Sequence, residues 1–170
     1  MATDRVIRQA RPGDASELLA IYAPIVRETA ISYELAPPTE AEFAARIERI
    51  TADGPWLVSD RGGTIEGYAY ASEFRSRGAY ATTKETTVYV HPDHHRAGVG
   101  RELMISLLDE ITDRGARTAI AVIGLPNDGS IALHEALGFR YVGTLHEIAR
   151  KFDAWHDEGF WELPLPRPDR

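Results

Sequence analysis

The stretch Glu85-Thr86-Thr87-Val88-Tyr89-Val90-His91-Pro92-Asp93-His94-His95-Arg96-Ala97-Gly98-Val99-Gly100-Arg101 decides how the chain is read. Its first six residues are a β-branched and aromatic run, which predicts a strand. Pro92 marks a turn, and two glycines then open an amphipathic helix expected over Gly98–Arg114. In that helix Leu103, Met104, Leu107, Leu108 and Ile111 share one face, and Gly115 is the stop. The first N–H groups of a helix lack intrahelical partners. With the helix dipole they can hold an anion, a diphosphate above all. Glycine belongs there because a Cβ would stand between a phosphate and the main chain. Arg96 and Arg101 add charge. Two other phosphate loops do not fit. Gly100 is followed by Arg101-Glu102 where a Walker loop needs Lys and Ser or Thr, and Leu103 stands where a dinucleotide fingerprint needs its third glycine. A lone Gly-x-Gly also serves as a plain turn; the strand before and the helix after favour the cradle.

Working outward, a strand is expected at Arg5–Ala10 and a helix from about Gly13 to Arg27, with Asp14 and Glu17 spaced as a capping box. A loop through Tyr33 and Pro37-Pro38 leads to a second helix, for which Thr39 and Glu42 form another box. Trp56–Asp60 and Thr64–Ser72 read as strands joined at Arg61-Gly62-Gly63. Phe74–Lys84 reads as irregular. After the central helix come a buried strand at Thr118–Ile123 and a short helix at Ser130–Leu137. One or two further strands lie around Tyr141–Ile148 and Phe160–Leu165, and residues 166–170 are expected to fray. This is one mixed α/β domain over residues 1–170.

The 170 residues are enough for a single domain with its own core. The chain has no cysteine, which excludes a thiol nucleophile, a redox pair and a thiolate metal site. A net charge of -7 speaks against sequence-independent nucleic-acid binding, which neutralises phosphates. No segment approaches the roughly 20 apolar residues of a membrane span, and the amino terminus lacks a signal-like apolar stretch. A cytoplasmic protein without nucleic-acid or membrane partners is expected. His91, His94 and His95 lack the spacing of a zinc site, so no metal is expected.

A second informative block is Ala121-Val122-Ile123-Gly124-Leu125-Pro126-Asn127-Asp128-Gly129-Ser130-Ile131-Ala132-Leu133-His134-Glu135-Ala136-Leu137-Gly138-Phe139. Helix capping by Asn127 or Asp128 and termination at Gly138 explain its turns. They do not explain His134 in an otherwise apolar helical stretch. The run His95-Arg96-Ala97-Gly98-Val99-Gly100 resembles the Gln/Arg-x-x-Gly-x-Gly/Ala motif of the GNAT acetyltransferases, with His95 at the Gln/Arg position. The resemblance is closer still to the phosphinothricin and methionine-sulfoximine N-acetyltransferases. It rests on Glu85–Val90, Ala121–Asp128, His134–Gly138 and the late Trp155-His156-Asp157-Glu158-Gly159-Phe160-Trp161, and covers nearly the whole chain.

The resemblance implies the GNAT fold: a central, mixed, mostly antiparallel twisted sheet, splayed at the cofactor site and flanked by helices. It implies acetyl-CoA as co-substrate, its phosphates on the main chain from Arg96 to Arg101 (Ala97, Gly98, Val99 and Gly100 between them) and near His95. The pantetheine arm would lie beside Val88, Tyr89 and Val90, with Asn127 and Ser130 also at the cofactor. It further implies a homodimer and a small-molecule amine acceptor of the phosphinothricin, methionine sulfoximine or methionine sulfone type. A protein or peptide N-acetyltransferase and a non-catalytic acyl-CoA sensor are the alternatives.

Acetyl transfer from a thioester to an amine sets three tasks. An α-amine with a pKa of roughly 7.7–8.0 must lose a proton. The carbonyl oxygen needs a donor as it gains charge, and the departing thiolate leaves more readily when protonated. Glu85 is the candidate base and His134 the candidate acid, with a main-chain N–H near Val88–Val90 for the oxyanion. An ordinary strand-end carboxylate and a satisfied core histidine are their bland counterparts. Direct attack suits a chain with no cysteine and no Gly-x-Ser-x-Gly elbow. Tyr33, Arg75, Arg77 and Tyr80 are the acceptor-binding candidates, because arginine grips carboxylates and phosphinates bidentately. Phe160 and Trp161 either wall the pocket or fill the core, the core being favoured.

Overall fold

The computed structural model describes residues 4–166. Seven strands form one sheet in the order β1-β2-β3-β4-β5-β7-β6. They are β1 (Arg5–Gln9), β2 (Trp56–Arg61), β3 (Thr64–Glu73), β4 (Thr83–Val90), β5 (Thr118–Gly124), β6 (Arg140–Lys151) and β7 (Ala154–Pro164). Every neighbouring pair is antiparallel except β4 and β5. The helices are α1 (Ala15–Glu28), α2 (Glu40–Asp53), α3 (Val99–Asp113) and α4 (Asp128–Ala136). This is the mixed, mostly antiparallel sheet that the sequence resemblance implies.

The strands alternate between two apolar layers, as the period-two pleat requires. Tyr68 faces a cluster with Leu18, Tyr22, Val26, Phe43, Ile47 and Trp56, which seats α1 and α2. Its neighbour Ala69 faces the cluster of Leu103, Met104, Leu107 and Ile111 from α3 with Ala119, Ala121 and Trp161. The apolar face read for α3 is thus the buried one, and Trp161 belongs to the core.

Local signals succeeded or failed for identifiable reasons. At α2 the box closes as expected: Thr39 N–H donates to Glu42 Oε2 at 2.7 Å, and Glu42 N–H donates to Thr39 Oγ1 at 3.3 Å. At α1 the Asp14–Glu17 box does not form, and Asp14 has helical angles with no capping bond of its own. Its carboxylate instead accepts the Arg11 N–H at 2.8 Å and two N–H groups of Arg8 at 2.8 and 3.0 Å. A guanidinium and an earlier turn outcompete the cap. The tail is a single long hairpin, β6 with β7, rather than short separate strands. Phe152 and Asp153 turn it at φ of 52° and 55°, the left-handed pair that a two-residue hairpin turn needs but that Asn-Gly usually supplies. Residues 167–170 of the segment expected to fray lie outside the described residues.

One irregularity has energetic weight. Ser59 and Asp60 are consecutive on β2, yet they oppose Gly67 and Ile65 on β3, so Glu66 is the extra residue of a bulge. A bulge re-aims a side chain, and here it buries a carboxylate. Glu66 is 2 % exposed and accepts from Arg5 Nε at 2.6 Å and Ser59 Oγ at 3.1 Å, with Arg61 Nε at 3.0 Å. Burial alone would push its carboxyl up. The hydrogen bonds of Arg5 and Ser59, with the charges of Arg5 and Arg61, outweigh that and hold it below the ordinary glutamate range. Arg5 continues to Glu102 Oε1 at 2.8 Å and the Ala97 carbonyl at 3.3 Å, tying the sheet to the start of α3. Glu66→Ala leaves the Arg5 guanidinium without its closest partner, and the expected loss is roughly 3–5 kcal/mol, read by urea denaturation. Because the folded-state pKa is depressed, the contribution of Glu66 is present above the unfolded value and fades as pH falls through the folded one. A variant as stable as the parent would show that the cluster contributes nothing net.

Candidate active site

β4 and β5 pair only over Thr83–Thr86 and Thr118–Ala121. Beyond that point Thr87–Val90 and Val122–Gly124 part, while β4 stays laddered to β3 and β5 to β7. Strands that separate leave inward-facing main-chain groups without ladder partners, and such groups need another partner. The opening is a cavity of about 430 Å³ lined by Glu85–Tyr89, Ala121–Gly124, Ser130, His134, Tyr70, Glu158 and the α1–α2 connection at Ile31–Glu34. The splay expected from the resemblance is therefore present, and Glu85, Val88, Tyr89, Ser130, His134 and Tyr33 meet at it.

At one end of this opening the chain turns from β4 into α3. Gly98 caps the helix at φ 80°, and Arg96 before it lies at φ 61°. Left-handed angles are routine for glycine but strained for arginine. The Glu102 N–H is the first to find a helical acceptor, the Gly98 carbonyl at 3.0 Å. Among the described residues the amides of Gly98, Val99, Gly100 and Arg101 have no such acceptor, and Arg96 and Arg101 are exposed beside them. A Cβ on Gly100 would meet Leu133 and Val90 side chains at 3.3 and 3.4 Å, so the helix start is pressed against both α4 and β4. These free amides fit a diphosphate. His95 is spent differently: its Nε2–H donates to the Val90 carbonyl at 3.0 Å and braces the end of β4. Asn127 Oδ1 accepts the Ser130 N–H at 3.2 Å and caps α4. Val90 packs on the α3 cluster.

Glu85 is half-buried and has no ion-pair partner among the described residues. Burial, and after it the charge of Glu158, pushes its carboxyl above the ordinary glutamate value. Glu158 on β7 is pushed up by burial alone. His134 is 3 % exposed, wedged at a right angle to Phe139 with ring centroids 5.0 Å apart. Its Nδ1 lies 2.8 Å from the Ser130 carbonyl. A carbonyl only accepts, so Nδ1 carries the proton and donates. Burial lowers the imidazole pKa below its usual value, against a smaller opposing effect of that hydrogen bond. The ring is neutral at pH 7, and Nε2 holds a lone pair that no described residue satisfies.

The remaining candidates are distributed otherwise. Tyr33 donates its hydroxyl to the Asp157 carbonyl at 2.8 Å and turns its ring to the cavity. Arg75, Arg77 and Tyr80 lie on the β3–β4 connection and do not line the cavity. Arg75 stacks there on Phe74 and Tyr80, 5.0 and 5.4 Å from the ring centroids. Glu158 and Tyr70, both in the lining, escaped the sequence reading. Glu158 had one signal, its place in the Trp155–Trp161 block. No group of three His, Asp or Glu among the described residues is arranged to hold a metal ion, and no described helix is long and apolar enough to cross a membrane.

Comparison with known proteins bears on this geometry. The family described as "Acetyltransferase (GNAT) domain" matches residues 7–160. A phosphinothricin N-acetyltransferase of Streptomyces viridochromogenes is 38% identical, covering 100% of this chain and 96% of that protein. An L-methionine sulfoximine/L-methionine sulfone acetyltransferase of Salmonella typhimurium is 34% identical over 94% of each. The crystal structure of a phosphinothricin acetyltransferase from Sinorhizobium meliloti in complex with acetyl-CoA superposes with a TM-score of 0.90. It is 39% identical and covers 95% of this chain and 88% of that one.

Proposed function

The chain belongs to the GNAT acetyltransferase family and is an acetyl-CoA-dependent N-acetyltransferase, and we propose that its acceptor is the α-amine of a small amino-acid-like molecule of the phosphinothricin or methionine sulfoximine type. The cavity at the β4–β5 splay carries this reading, because a raised carboxyl and a buried histidine line it together beside the strand that leads into α3. The named activities of relatives matching nearly the full chain support the acceptor class.

Acetyl-CoA supplies the thioester, and the free amides of Gly98–Arg101 hold its diphosphate. Glu85 removes a proton from the incoming ammonium, directly or through one water. Its elevated pKa brings it closer to that of the amine, which eases the transfer. A main-chain N–H freed where β4 leaves β5 hydrogen-bonds the carbonyl oxygen as charge develops. His134 rests with its proton on Nδ1, so Nε2 must first gain a proton before it can give one. The nitrogen that has just bonded to carbon provides it, and Nε2 then passes it to the departing sulfur. Of the three ammonium protons one leaves through Glu85, one ends on the thiol and one stays on the amide. No acyl-enzyme is needed.

Self-association into a homodimer completes the reading. Tyr141, Val142, Leu145, Ile148 and Trp155 leave a run of apolar side chains exposed on the β6–β7 hairpin, where a second copy can cover them.

Thiol release from acetyl-CoA, followed across phosphinothricin, methionine sulfoximine, methionine sulfone, ordinary amino acids, polyamines and peptides, tests the function. Turnover is expected with the first three and not with peptides. Efficient use of peptide amino termini, with no small acceptor turned over, would overturn the acceptor class.

A further inference from the structure

We propose that Glu158 is a second acceptor-binding carboxylate, which with Glu85 holds the incoming ammonium between β4 and β7. This rests on the reading above, in which the cavity receives the amine, and adds to it a residue and a charge preference. Glu158 stands opposite Gly124 on β5 and Leu145 on β6, at the level where β5 has already left β4. It lines the same cavity as Glu85, and its charge acts on both Glu85 and Tyr33.

The charge balance of the cavity points to a cation. Three glutamates line it, and no lysine or arginine does. Glu34 is paired with Arg46 at 2.5 Å. Glu85 and Glu158 have no ion-pair partner among the described residues. The other titratable groups facing the pair are Tyr33 from the α1–α2 connection, Tyr70 from β3, Tyr89 from β4 and His134 from α4. All of them are neutral at pH 7 in this setting, since burial raises the tyrosines and lowers the histidine. Lys151 lies behind the wall, its Nζ donating to the Ser32 carbonyl at 2.6 Å. An independent sign of an occupant is His134 Nε2, buried in this lining and unsatisfied.

Two half-buried carboxylates at close range repel unless a cation or proton stands between them. An ammonium can donate one N–H to each and still point its third proton elsewhere.

The test is Glu158→Gln, with Glu158→Asp beside it, assayed on methionine sulfone. For the glutamine variant the acceptor KM should rise about tenfold and the acid limb of kcat/KM should move to lower pH. The sign follows because removing a neighbouring negative charge makes Glu85 the stronger acid. The KM for acetyl-CoA should stay unchanged, and aspartate should restore part of each effect. An unchanged acceptor KM and acid limb would refute the role of Glu158 and leave the base untouched. If Glu85→Gln kept full turnover, the base assignment would fall instead, whatever Glu158 does.

Discussion

Glu85→Gln is expected to lower kcat by roughly a hundred- to ten-thousandfold, the range lost when a positioned general base is removed. That corresponds to roughly 3–5.5 kcal/mol of transition-state stabilisation. The substitution keeps shape and removes only the ability to hold a proton, and Glu85 has no ion-pair partner whose charge would be stranded. Binding of acetyl-CoA, followed by calorimetry, should therefore persist. The pH dependence sharpens the test. Glu85 works ionised, and burial with the charge of Glu158 raises its pKa. Activity should thus fall on acidification at a higher pH than an exposed glutamate would give, and this limb should vanish from the residual activity of the variant. Retained turnover, or an acid limb that survives the substitution, would remove Glu85 from the chemistry.

The second large effect belongs to the loop before α3. Gly98→Val is expected to raise the KM for acetyl-CoA about a hundredfold with far less change in kcat at saturation. Gly98 stands at φ 80°, where a β-branched residue costs of order 1–3 kcal/mol. The least costly escape is to rotate the peptides on either side, and that turns away the amides of Gly98–Arg101. Gly98→Asn is the control, since asparagine tolerates this region and should keep most of the affinity. Steady-state kinetics of the pair separate backbone conformation from side-chain bulk. Equal loss in both, or in neither, would mean that the angle at Gly98 does not set the grip.

Sequence reading reached the parts of this protein whose signals are local. The α3 start was legible because its glycines, its apolar face and the strand before it all lie within one short stretch. Glu85 and His134 became candidates through the family resemblance, and folding brings them to one cavity from β4 and α4. Tertiary competition hid the rest. Asp14 has the spacing of a cap, yet Arg8 claims its carboxylate from a strand. Glu66 lies in a strand the sequence shows, but its burial comes from the one-residue bulge opposite Ser59 and Asp60, which has no local signal. The β6–β7 hairpin was shortened in the reading because Phe152 and Asp153 make its turn without glycine. Glu158 depends on all of this at once, since its place at the cavity is fixed by the registers of β5, β6 and β7.

The short β4–β5 pairing has a mechanical consequence. The sheet is in effect two plates, β1–β4 and β5–β7, joined along a hinge of four residue pairs and bridged by the helix that packs across it. Each plate carries one of the two glutamates. The angle at which the plates meet sets their separation, and with it how strongly the charge of Glu158 acts on Glu85. Substitutions at Thr83 or Thr118, which touch no reactant, can therefore retune the chemistry by changing an angle.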